Sequence, residues 1–244
     1  AFSIAEENGI PAFIYDPVTV DEMIPLAKYT GIPEMRRRSL GHNLNMRAMA
    51  HRCAADNGRN FEDMTIITAH MGGGTTIGVY QGGKIIDIVT DEEGPFSPER
   101  AGGLPTPQVI DLAYSGEYDI RALKKKLKNS SGLQAYLGTK DARTVEKRMA
   151  EGDKNAGEVY QAMAYQISKA IGELATVVKG RVDAIVLTGG IAHSDLFTGW
   201  IRERVSFIAP VVIYPGENEM DALASGALRV LRGEEDAMKF EKNF

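Results

Sequence analysis

Short apolar runs that end in glycine turns recur along this chain. Met64-Thr65-Ile66-Ile67-Thr68-Ala69 leads into His70-Met71-Gly72-Gly73-Gly74-Thr75-Thr76. Val182-Asp183-Ala184-Ile185-Val186-Leu187 leads into Thr188-Gly189-Gly190-Ile191-Ala192-His193. Runs of this length, rich in Ile and Val and closed by Gly, read as strands. The pattern predicts strands over 65–69, 76–80 and 84–89, the last two joined by the turn Gln81-Gly82-Gly83. Further strands are expected over 12–15, 184–187 and 210–214.

Elsewhere apolar positions recur every three and four residues. They predict helices over 43–57, 108–114, 120–128, 142–151, 156–178, 196–205 and 221–231. In the longest of these, Val159, Met163, Ile167, Ile171, Leu174 and Val178 form one buried stripe. Residues 1–7 read as the tail of a helix stopped by Asn8-Gly9, as if continuing something longer. Residues 91–107 make a loop rich in Gly and Pro, of a length that usually marks a binding loop or lid. The order is that of an α/β domain with a mixed sheet.

Composition narrows the partners. A length of 244 residues admits one large domain or two small ones. The formal net charge of -5 leaves no Lys/Arg excess for neutralising nucleic-acid phosphates. Arg36-Arg37-Arg38 and Lys124-Lys125-Lys126 read as solvated faces. Cys53 is the single cysteine, so no internal disulfide forms, and a reducing, cytoplasmic setting is expected. No apolar run approaches the roughly 20 residues of a membrane helix, and no signal peptide is visible.

Candidate chemistry gathers at the strand ends. Glycine loops let bare backbone approach a phosphate closely, and two of them, each beside a hydroxyl, point to a nucleotide gripped from two sides. Tight turns with no ligand are the plain alternative. His70 stands just before three glycines. Arg100, in the Pro-rich loop, suits charge neutralisation on a transferring phosphoryl group, or else pairs with Glu99 at the surface. Asp16 and Glu219 are carboxylates at strand ends, fit for Mg²⁺ or for helix capping. His42 is either a cap or a phosphate contact, and Asp141 either a cap or a nucleoside contact. His51 and His193 read as ordinary. Neither zinc-ligand spacing nor a Walker-type loop occurs.

With these residues in hand, the chain resembles the butyrate and branched-chain carboxylate kinases of the acetate-kinase family. The motifs are His-Met-Gly-Gly-Gly at 70–74, Glu-Gly-Pro-Phe-Ser-Pro-Glu-Arg-Ala-Gly at 93–102 and Ser-Gly-Leu-Gln-Ala-Tyr-Leu-Gly-Thr-Lys-Asp-Ala-Arg at 131–143. Met-Ala-Tyr-Gln-Ile at 163–167, Val-Leu-Thr-Gly-Gly-Ile-Ala-His at 186–193 and Ser-Phe-Ile-Ala-Pro-Val at 206–211 complete the set, and the likeness runs from Ala1 to Gly233. It implies an actin-like ATPase (ribonuclease H-like) fold. Residues 1–60 would be the end of a truncated first lobe, and 61–244 a complete second, nucleotide-binding lobe whose last helix packs back on the first.

The reaction implied is reversible transfer of the ATP γ-phosphoryl to a short-chain carboxylate, giving acyl phosphate and ADP. By motif, His70 and Arg100 would stabilise the transferring group, with His42 nearby. Asp16 and Glu219 would position Mg²⁺. Gly72, Gly73 and Gly74 would line the phosphate path, Asp141 and Arg143 would lie near the nucleoside, and Gly189 and Gly190 beside the adenosine. The family is usually at least dimeric, so a homo-oligomer is expected.

Two departures stand out. The family reads Phe-His-Ala-Leu-Asn where this chain has Gly41-His42-Asn43-Leu44-Asn45, which is expected to enlarge the acyl pocket. The family's amino-terminal Asn-x-Gly-Ser phosphate loop does not occur in the chain, so this stretch alone is expected to be a poor catalyst. Two alternatives stay open: an acetate or propionate kinase, and a nucleotide-binding module that performs no transfer.

Overall fold

The computed structural model describes residues 2–237. Five strands, β1 (Ile66–Met71), β2 (Thr75–Gln81), β3 (Lys84–Val89), β4 (Ala184–Gly189) and β5 (Val211–Pro215), form one mixed sheet. Its order is β3-β2-β1-β4-β5. The first three strands are an antiparallel meander, while β1, β4 and β5 run parallel. Helices occupy α1 (Phe2–Glu7), α2 (Asn43–Asp56), α3 (Thr106–Tyr114), α4 (Ile120–Asn129), α5 (Gly132–Leu137), α6 (Ala142–Ala150), α7 (Lys154–Val177), α8 (Asp195–Val205) and α9 (Glu219–Leu231).

Both sheet faces are covered, and every residue of β1 and β4 is buried. Alternation along the strands sorts their side chains into two clusters. Ile67, Ala69 and Met71 face the stripe Met163, Ile167 and Ile171 of α7. Ile66, Tyr80, Ile85 and Val186 face Met46, Met49 and Cys53 of α2. Each fully buried Ile contributes about 2 kcal/mol. A one-residue slip of β1 would exchange its two faces and turn His70 into the apolar α7 side, so the register is strongly fixed.

The structure departs from expectation in three places. Residues 12–15 form no strand: the segment finds no ladder partner among the described residues, and Ile14 is 88% exposed. Asp16 therefore does not end a strand. Strands β1 and β4 run two residues further than their apolar runs, because His70 pairs in register with Thr188. The six-residue α5 is too short to show a period. Buried residues on both sides of residue 60, from Met46 and Met49 to Phe61 and Met64, share the α2 cluster.

At the other end of the chain, α9 meets the early segment. A Cβ on Gly226 would lie 2.6 Å from the Tyr15 ring, and the Arg229 guanidinium lies over that ring. The last seven residues of the expected second lobe, 238–244, and Ala1 of the expected first, lie outside the described residues. No helix among the described residues is long and apolar enough to cross a membrane.

Candidate active site

Three neighbouring strands carry polar residues where their α2-facing columns reach one end of the sheet. Ile66 and Thr68 are followed by His70 and Ala184 and Val186 by Thr188; on the antiparallel β2, Thr76 comes first and Gly78 and Tyr80 follow it. Register places His70 opposite Thr76 on one side and Thr188 on the other. The first turn of α2 lies against this polar row. His42 Nδ1 is 2.8 Å from Thr76 Oγ1, and His70 Nδ1 is 3.0 Å from Asn45 Oδ1. The two imidazoles stack. Burial, and secondarily the neighbouring His42, push His70 down to about 3. His42 is lowered as well, first by burial and then by the Arg100 guanidinium. In both rings burial disfavours the charged form.

The Pro-rich loop folds over the glycine loop between β1 and β2. Ser97 Oγ donates to Gly73 O at 2.7 Å. A Cβ on Gly73 would lie 3.2 Å from Glu99 Oε1, and one on Gly74 only 2.7 Å from Arg100 Nη1. Arg100 thus lies on the bare backbone of Gly74. Its partner is Asp91, and Glu99 pairs with Lys140 at 2.7 Å, so the surface Arg100–Glu99 pair does not form. The loop is strapped down: the Leu133 and Gln134 N–H groups of α5 donate to the carbonyls of Ser97 and Pro98.

The second glycine loop lies directly alongside. Gly189 has φ +90°, and a Cβ there would lie 2.5 Å from Met71 O, so only glycine lets β4 approach the end of β1 this closely. Gly190 has open space around it. Between the two loops lies a cavity of about 690 Å³, walled by Gly72, Gly73, Lys140, Arg143, Gly190 and Glu217 among others. That volume suits a nucleotide in size, with bare glycine backbone at one side, while the cations Lys140 and Arg143 are paired with Glu99 and Asp141.

Asp141 and Arg143 both reach this wall while bonded to each other. The Asp141 carboxylate caps α6 through Arg143 N at 3.0 Å and pairs with Arg143 Nε at 3.0 Å. His193, read as ordinary from the sequence, also lines the cavity.

The two carboxylates chosen for metal differ in placement. Glu219 sits in the exposed first turn of α9. Glu217 is the one that lines the cavity, with its Oε1 3.4 Å from where a Gly72 Cβ would be. Asp16 is held elsewhere, at 2.9 Å from Arg47 Nε, and Arg47 also reaches Gly83 O at the opposite end of β2 from the glycine loop. Burial raises Asp16 to about 6, against the opposing pull of Arg47, and its Oδ2 has no hydrogen-bond partner. Among the described residues no group of three or more His, Cys, Asp or Glu is placed to hold a cation alone.

Sequence reasoning gave no site role to Asn45, Glu217, Glu99 or Lys140. The available signal for Asn45 was its spacing, three residues after His42 on a predicted helix and hence on the same face. The expected enlargement at Gly41 does not occur. A Cβ there would lie 2.6 Å from Thr76 Cγ2 and 2.8 Å from Ile88 Cδ1, so neighbouring side chains already fill that space.

A family model described as "Acetokinase family" matches residues 30–205. The chain is 50% identical over 243 residues to butyrate kinase 2 of Clostridium acetobutylicum, covering 99% of this chain and 68% of that protein. It is 49% identical over 234 residues to a probable butyrate kinase 2 of Caldanaerobacter subterraneus subsp. tengcongensis, covering 96% of this chain and 66% of that one. Among solved structures, acetate kinase of Porphyromonas gingivalis matches with a TM-score of 0.79 at 20% identity, over 88% of this chain and 63% of that chain. A propionate kinase of Francisella tularensis subsp. tularensis gives 0.73 at 18%, over 82% and 60%. The chain thus spans about two thirds of the length of its relatives. The structural likeness, at such identities, bears on the fold: it is the actin-like fold of the acetate kinases.

Proposed function

The chain belongs to the acetokinase family, whose reaction is ATP-dependent formation of acyl phosphates, and from that premise we propose a butyrate-type or branched-chain carboxylate kinase. The observation that carries the proposal is the convergence of His70, Arg100 and the first glycine loop on one end of the sheet, beside a cavity of nucleotide size. The acceptor is already a carboxylate anion, so no base is needed. One carboxylate oxygen attacks the γ-phosphorus, the bond from phosphorus to the ADP oxygen breaks, and ADP leaves with the electron pair. Positioning and charge neutralisation then supply the rate.

In this reading Arg100 neutralises charge on the transferring group from above Gly74, and His70 and His42 border it from the α2 side. Gly72, Gly73 and Gly74 offer backbone to the phosphates. Asp141, Arg143, Gly189 and Gly190 lie toward the nucleoside. Mg²⁺ takes one or two carboxylates plus phosphate oxygens and waters; of the two carboxylates expected to hold it, Glu219 stands two residues from the cavity-lining Glu217, whereas Asp16 is held by Arg47 at the other end of β2 and does not fit that role. When bound, the ion would neutralise phosphate charge.

The proposal extends to a cytoplasmic homo-oligomer, supported by the single cysteine and by the exposed Ile110, Tyr114 and Ile120 on α3 and α4. The test is hydroxylamine trapping of acyl phosphate from ATP, Mg²⁺ and acids of two to five carbons, with Arg100→Ala as control. Turnover highest with four- and five-carbon acids and lost in the control supports the reading. The assay is run on this chain and on a form extended to the length of its relatives; ATP binding by the extended form without turnover of any acid overturns it.

A further inference from the structure

Asn45 is 2% exposed and belongs to none of the groups discussed as reacting. Its side-chain amide nevertheless joins three elements. Nδ2 donates to Glu217 O at 2.5 Å, in the segment between β5 and α9. Oδ1 lies 3.0 Å from His70 Nδ1 on β1 and accepts from Thr188 Oγ1 on β4 at 3.1 Å. These contacts settle which way round the amide sits. A backbone carbonyl only accepts, so the NH₂ must face Glu217 O and the oxygen must face His70. An amide oxygen also only accepts, so the His70 Nδ1 beside it must carry a hydrogen.

We infer that Asn45 is a positioning residue that fixes His70 as its Nδ1–H tautomer, leaving Nε2 as the nitrogen turned to the glycine loop. Nε2 lies 3.1 Å from where a Cβ of Gly72 would be. The stacked His42 and the burial of the ring hold its plane, and Asn45 chooses which nitrogen faces the glycine loop. If His70 gains a proton, that proton goes to Nε2, because Nδ1–H stays on Asn45. The amide's third bond ties this choice to the backbone of the loop that carries Glu217. The catalytic consequence rests on the phosphoryl-transfer reading given above; the tautomer does not.

Two variants separate the bonds. Asn45→Leu keeps the approximate volume and removes all three. Asn45→Asp keeps an acceptor for Nδ1–H and loses the donor to Glu217 O. The measurement is ¹⁵N NMR of histidine-labelled protein, with His70 assigned by its disappearance in His70→Asn. Wild type and Asn45→Asp are expected to show a protonated Nδ1 and a bare Nε2, and Asn45→Leu to move toward the Nε2–H form. In parallel, kcat falls at least tenfold in Asn45→Leu and less in Asn45→Asp, while KM for ATP stays within twofold. An Nε2–H tautomer in the wild type overturns the inference, as does a tautomer unchanged by Asn45→Leu. Should Asn45→Leu not fold, the wild-type and Asn45→Asp spectra decide alone. A protein that phosphorylates no acid yet shows Nδ1–H defeats the kinase reading and leaves the tautomer assignment standing.

Discussion

The rings of His42 and His70 lie face to face, with centroids 4.2 Å apart and planes 12° from parallel. They arrive from different elements, His42 from the residue that precedes α2 and His70 from β1. Each is anchored through Nδ1, on Thr76 and Asn45 respectively. Charging either ring is opposed by burial, and for His70 by the other ring too.

The pair is therefore expected to behave as a unit. His42→Ala and His70→Ala should each lower kcat about a hundredfold, and the double variant should lose little more than the worse single one. Steady-state kinetics of the three proteins checks this. Fully additive losses would mean that the rings act independently.

The two glycines of the second loop should part company on substitution. In Gly189→Ala, a methyl would press on Met71 backbone at a φ of +90°, so stability should fall by about 3 kcal/mol, read from the urea midpoint. Gly190→Ala meets nothing within 4 Å and should unfold as the wild type does. Because Gly190 lines the cavity, that variant should instead raise KM for ATP. Equal midpoints for the two would contradict the close approach at Gly189.

Restoring the family's Phe at position 41 should harm the protein. The space is already taken by Thr76 and Ile88, so Gly41→Phe is expected to cost about 1–3 kcal/mol by overpacking. The comparison is with Gly41→Phe combined with Ile88→Ala, which should recover part of the loss. A single variant as stable as the wild type would show that Thr76 and Ile88 yield without cost.

Acid should destabilise the fold through its buried histidines. His51, packed on Phe61, is lowered to about 4 from 6.5, mainly by burial and then by Arg229 and Arg47. Its folded pKa lies below the unfolded one, so its contribution is complete above pH 6.5 and is lost as pH falls through 4. His70 acts in the same sense, down to about 3. Asp16 acts oppositely: raised from 3.8 to about 6, it favours the fold once protonated, so between those values falling pH helps. Urea midpoints between pH 7 and 4 should drop in the wild type, drop less in His51→Gln and drop more in Asp16→Asn. A His51→Gln profile parallel to the wild type would remove His51 from the account.

The strands and helices were largely legible because each buries a whole face, which leaves a period in the sequence. Residues 12–15 misled because alternation describes one strand, whereas a strand exists only with a partner. The glycine loops could be read directly. The polar row could not, since it depends on the register that places His70 between Thr76 and Thr188. Arg100 was found as a candidate, but its bond to Asp91, nine residues earlier within the same loop, has no helical or strand period to betray it. Glu217 and Glu219 are two residues apart, separated by Asn218 in the αL region at φ +39°, and Glu217 is the one that lines the cavity.

The parallel pairing of β1 with β4 also governs how the chain folds. Thr65 N–H meets the Asp183 carboxylate across 118 residues of sequence, whereas the β1–β2–β3 meander closes over two short turns. Loop-closure entropy favours the meander first and delays the distant ladder. An early folding intermediate would hold an intact His70 loop with nothing opposite it. In that order the cavity between the two loops would close only once Thr188 of β4 reaches Asn45. A phosphate-bearing ligand that needs both loops should therefore slow unfolding and leave the refolding rate nearly unchanged.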